Sequence, residues 1–173
     1  MSKTKKTTSI EDWNGFFEEI QKESPRAAII ISAAFMDEWL RELIVNFMVD
    51  SKVVESLLGQ NRPLSSFSSR ISTAYCLGLI SSDQYDDLIL VRNIRNEFAH
   101  GMHGLSIDDP HIVKWCNELK IPKKISVETA SHWFTFLTAI AMLASQLAIR
   151  AKGISERRLT VPQGFTLTTV VKG

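Results

Sequence analysis

From Ala130 to Ile149 the chain runs for twenty residues without an Asp, Glu, Lys or Arg, and that run limits the architectures open to it. A helix of this composition has no charged face to offer water, so other helices or lipid must cover it. Its length suffices to cross a bilayer. Against a membrane partner stand His132, Thr135, Thr138, Ser145 and Gln146 within the run, and several amphipathic helices elsewhere that need an apolar helix to pack on. It therefore reads as the core helix or dimer-interface helix of a helical protein. With 45% hydrophobic and 23% charged residues in 173, the chain can bury a core of its own as one compact domain.

Helix signals fill most of the remaining sequence. Ser9 and Asp12 have capping-box spacing ahead of an apolar face of Trp13, Phe16, Phe17 and Ile20. Ser24-Pro25 starts a second helix from Arg26 to Met48, since proline suits the first helical position. A short helix from Val53 to Leu58 stops at Gly59, and Gln60-Asn61-Arg62-Pro63 is a loop. A helical hairpin follows, with one arm from Ser66 to Leu77 and Gly78 as its left-handed cap. Ser81 or Ser82 caps the second arm, which ends near Gly101. Residues 102–125 are less regular, with a short helix opened by Asp109-Pro110 and holding Val113 and Trp115. The last helix is expected to begin at Ser126 and to close at Gly153.

The expected fold is thus all-α, a single-domain bundle of about five main helices. Residues 1–8 read as a flexible N-terminal tail, 9–153 as the helical domain and 154–173 as a C-terminal tail or arm.

Charge and rare residues narrow the function. A net charge of +1 supplies no broad positive field for phosphates, so a generic nucleic-acid binder is not expected. The hairpin resembles a helix-turn-helix, yet Asp83, Asp86 and Asp87 in its second arm would meet the DNA backbone, which makes direct DNA reading doubtful. Cys76 and Cys116 have no disulfide-framework spacing and read as inert packing residues, and no apolar leader follows the lysines near Met1, so a cytoplasmic chain is expected. His100, His103, His111 and Cys116 share no helical face, so no metal and no cofactor is expected.

The run Arg92-Asn93-Ile94-Arg95-Asn96-Glu97-Phe98-Ala99-His100 holds the densest set of functional side chains. Arg92, Arg95, Asn96 and His100 read as a polar stripe facing a partner, a ligand groove or water. The structural alternative is that the arginines pair with carboxylates and His100 sits favourably in the last helical turn. The chemical alternative is phosphodiester cleavage without metal, Arg95 holding a phosphate, His100 moving a proton and Asn96 orienting one of them. Arg95 to His100 resembles the Arg-x(4 to 6)-His signature of HEPN ribonucleases, so RNA is the substrate under that reading.

Leu64 to Ile80, then Tyr85-Asp86-Asp87-Leu88 and the Arg92 to His100 run, resemble the mannitol operon repressor (MltR) family. Ala33 to Leu40 and Leu57-Leu58 add to the likeness, which covers about residues 24–150. It implies an all-helical regulator of transcription, a homodimer, and no recognisable DNA-binding motif. With near-neutral charge, the expected mode of action is protein–protein interaction rather than direct DNA reading, and the chain is not expected to be an enzyme.

Overall fold

The computed structural model describes residues 10–101, 104–125 and 131–164, which form α-helices and one 3-10 turn with no strand among them. In chain order the helices are α1 (Ile10–Lys22), α2 (Pro25–Phe47), α3 (Lys52–Leu58), α4 (Phe67–Cys76), α5 (Ser82–His100), α6 (Pro110–Glu118), α7 (Lys120–Lys123) and α8 (His132–Gly153), with the 3-10 turn at Ile154–Arg157. Five of these helices, α1, α2, α4, α5 and α8, have ten or more residues, in line with the expected bundle.

Local chemistry sets most of the boundaries. The Ser24 hydroxyl accepts the Ala27 N–H ahead of Pro25, and α2 begins there. At α5 the Ser81 hydroxyl accepts the Gln84 N–H while the Gln84 side chain accepts the Ser81 N–H at 2.8 Å, a complete capping box. The α4–α5 hairpin turns at Gly78, whose φ of 67° is left-handed. The Leu79 N–H reaches the Ala74 carbonyl at 2.8 Å and the Gly78 N–H reaches the Tyr75 carbonyl at 2.9 Å, the paired bonds of a Schellman stop. A Cβ at Gly78 would meet nothing within 4 Å, so Gly78→Ala tests backbone conformation alone. It is expected to cost about 1 kcal/mol in urea titration.

The core sits around α2. This helix packs on α8, α5, α4 and α1, and Ala28, Ile29, Ala33, Met36, Leu40, Leu43 and Ile44 are buried on it. Helix α8 passes the length and composition test for a membrane span. Its buried side, including Phe136, Ile140, Leu143 and Leu147, packs on α2, α6 and α7. Gln146 accepts a 2.6 Å hydrogen bond from the buried Gln84 of α5, so a polar residue of the uncharged run lies against protein.

Several expectations need correction. Helix α7 was not anticipated: both carboxylate oxygens of Asp87 accept the N–H groups of Lys120 and Ile121 at 2.8 Å and hold its first turn from α5. Helix α6 opens at Asp109-Pro110 and holds Val113 and Trp115 as expected, both half-buried, with Ile112 and Cys116 fully buried. Helix α8 closes at Gly153 as expected, and with a φ of −87° the backbone continues right-handed into the 3-10 turn. Ile154 is then buried, and the Leu159 N–H bonds the Phe47 carbonyl at 2.8 Å. The last helix begins at His132 rather than Ser126, because the extended Ser131 caps it by accepting the Phe134 N–H; the expected Ser9 cap lies outside the described residues.

Candidate functional site

Helix α5 positions the candidate residues, and its surroundings decide which way each one points. Leu88, Val91, Ile94 and Phe98 face the core, and the helix packs against α2, α4, α6 and α7. At about 100° per residue, Arg95 falls within the buried arc, between Val91 and Leu88, and Arg92 just beyond its edge, toward Ser68 of α4. His100 falls about 140° from Arg95 around the axis, and it is exposed while Arg95 is half-buried. Arg92, Asn96 and His100 follow one another at i, i+4 and i+8, whereas Arg95 lies on the inner side of that line. The stripe therefore divides into an inner arginine pair and an outer end at His100.

The inner part meets a polar seam between α2, α4 and α5. The Arg92 guanidinium donates to the Ser68 hydroxyl of α4 at 2.8 Å, and that of Arg95 donates to the Asn96 side-chain carbonyl at 2.9 Å. Beside them the Asp37 carboxylate of α2 pairs with Arg70 of α4 at 2.7 Å. Arg70 is 8% exposed, and it also donates to the carbonyls of Leu64 at 2.9 Å and Ser65 at 3.4 Å. Burial pushes the Asp37 carboxyl above its usual range, against the pull of Arg70 and, more weakly, Arg95. Its second oxygen is buried without a hydrogen-bond partner.

Sequence reasoning passed over Ser68, Asp37 and Arg70. An acid following the apolar run of α2, and an arginine at a core position of α4, were the available signals. Both are legible only once the two helices are known to touch.

The outer face of α5 carries a groove. A cavity of about 470 Å3 is lined by Tyr85, Asp86, Ile89, Leu90, Glu118 and Lys120. Asn93, Glu97 and His100 continue along the same side of the helix. The acidic start of α5 is not an open anionic face: Asp86 pairs with Lys120 at 2.5 Å, Asp83 pairs with Lys124, and Asp87 is buried.

The other chemistry-bearing residues stay apart. His111 lies 3.8 Å from Glu97, and His132 lies 3.2 Å from Asp108. No group of three metal-ligating side chains occurs among the described residues. His103 lies outside them. Cys116 is buried and its thiol is pushed up to about 11 by burial, whereas Cys76, expected to be buried, is exposed.

Fold and site together define a single-domain helical bundle whose most polar long helix is held on several sides by its neighbours. The mannitol repressor family model matches residues 14–148, and the chain belongs to that family. A chain in the X-ray structure of the MtlR-HPr complex from Escherichia coli has the same fold, with a TM-score of 0.57 and 22% identity over 82% of this chain and 97% of that one. No curated protein matches the sequence significantly. Neither match involves a ribonuclease.

Proposed function

We propose that this protein is a cytoplasmic transcriptional regulator of the mannitol-repressor type that acts by binding another protein. One observation carries the reading: the start of α5, the second helix of the hairpin that resembles a DNA-reading unit, is covered by α7. A recognition helix presents its N-terminal residues to the major groove, and here Asp83, Asp86 and Asp87 are bound to Lys124, Lys120 and the α7 backbone. The near-neutral charge supports the same view.

The uncovered face of α5 is the docking surface in this reading, with Tyr85, Ile89 and Leu90 as its apolar part and Asn93 and His100 as its polar end. The mixture suits an anchor side chain surrounded by polar contacts. The solved relative forms a complex with HPr, so HPr is the first partner to test. The protein is read as a homodimer that keeps this face open.

Calorimetric titration with HPr is expected to show binding that Leu90→Asp weakens at least about tenfold, the loss of one interface anchor, with the melting curve preserved. Retention of an operator fragment at physiological salt, in clear preference to scrambled DNA, would overturn the proposal.

A further inference from the structure

The arginine pair on the inner flank of α5 makes no close ion pair among the described residues, Asp37 acting on Arg95 only at longer range. Arg92 and Arg95 are both half-buried, and neither has a carboxylate within 4 Å among the described residues. The chain is not short of acids, with 19 Asp and Glu to 20 Lys and Arg. Three other half-buried or buried arginines use them: Arg41 pairs with Glu38 and Glu42, Arg70 with Asp37 and Arg158 with Asp50, whereas the half-buried Arg26 donates to the Gly101 carbonyl. Asp37, the acid closest in effect to Arg95, is held at 2.7 Å by Arg70. Withdrawing guanidinium groups from water without a counter-ion costs free energy, so an unneutralised pair has to be explained.

The neutral partners point to the missing group. Ser68 and Asn96 each accept the guanidinium N–H through oxygen. The Ser68 hydroxyl therefore keeps its own proton to donate, and the Asn96 amide keeps its NH2. Around the pair donors outnumber acceptors: the rest of two guanidinium forks, one hydroxyl proton and one amide NH2, against one remaining lone pair each on the Ser68 and Asn96 oxygens. Such a set rejects cations and takes an anion rich in acceptor oxygens.

We propose that Arg92, Arg95, Ser68 and Asn96 form a binding site for a phosphate monoester dianion. Two guanidiniums match two negative charges, whereas a carboxylate would leave one of them uncompensated. A polynucleotide fits less well, because there is no wider basic field to hold it. The site adjoins the docking face along the Arg92–Asn96–His100 line but uses different residues from its apolar part, and it stands whether or not that face binds a partner.

The test is a titration of the 15N-labelled protein with inorganic phosphate at constant ionic strength, following the Nε–H signals of the arginines. Saturable shifts of Arg92 and Arg95 are expected, with chloride producing none. Arg92→Gln and Arg95→Gln should each weaken phosphate at least about tenfold. Arg92→Lys, which keeps the charge and loses the fork, should fall between them and the wild type.

Two further arms separate the sources of a monoester. A phosphoserine peptide binding more tightly than glycerol 3-phosphate assigns the site to a phosphorylated protein, and the reverse order assigns it to a free phosphate ester. Shifts that do not saturate, affinity unchanged when both arginines are replaced by glutamine, or tighter binding of single-stranded RNA than of either monoester would overturn the proposal.

Discussion

Asp37→Ala is expected to lower the unfolding free energy by about 3 kcal/mol, toward the lower end of what removing one member of a buried ion pair costs. The lower end applies because the Asp37 side chain is 27% exposed. The reason is the residue left behind. Arg70 cannot shed its proton, and with 10% of its side chain exposed it cannot reach water. Its bonds to the Leu64 and Ser65 carbonyls satisfy donors but do not cancel the charge. Arg70→Ala should be less damaging electrostatically, since the Asp37 carboxyl is already raised by burial and takes up a proton more readily. Joint replacement by Asp37→Leu and Arg70→Met should recover much of the loss, because an apolar pair of similar volume needs no desolvated charge. Urea titration of the four proteins reads all of this. Arg92→Gln and Arg95→Gln supply the contrast, expected within about 0.5 kcal/mol of the wild type or above it. A large loss there would make the pair structural.

That contrast could not be drawn from the sequence. The Arg92 to His100 run stands out because its residues are polar and close together, and helical periodicity places Arg92, Asn96 and His100 on one line. Periodicity does not say which side of that line is covered. The covering helices are α2 and α4, which come earlier in the chain, and their contributions at Asp37, Ser68 and Arg70 carry no local signal. Boundaries behaved differently. Ser24-Pro25, Ser81 with Gln84, and Gly78 each act on backbone groups within a few residues, and for that reason they were legible.

The uncharged run shows the same division. Composition shows that α8 must be covered but cannot distinguish lipid from protein. Its packing on α2 and the bond between Gln146 and Gln84, 62 residues apart, are properties of the fold. The Arg150 guanidinium next to that pair also donates to the Leu79 carbonyl at the hairpin turn. The end of the uncharged helix thus ties down the turn from which α5 starts, and so helps position the candidate site.

Asp87→Ala is expected to cost about 3 kcal/mol, because two charge-assisted bonds from backbone N–H groups disappear and the Ile121 N–H is left buried without an acceptor. From the sequence, Asp83, Asp86 and Asp87 read as one acidic turn suited to the helix dipole. The fold assigns them different tasks: Asp83 and Asp86 pair with Lys124 and Lys120 at the surface, while Asp87 turns inward and caps α7 from 33 residues away. Asp87→Asn keeps the shape and one acceptor oxygen, so about half the loss should return. The pH dependence gives an independent check. Burial raises the Asp87 carboxyl above the ordinary aspartate value of 3.8 despite the two N–H donors, so the folded protein holds this proton more tightly than the unfolded chain. Its contribution is then greatest below 3.8 and declines as pH rises through the raised range. The stability gap between the wild type and Asp87→Asn should be widest in acid and narrow toward neutrality. A gap that widens instead would mean that the backbone donors outweigh burial, with the carboxylate as the form the fold prefers.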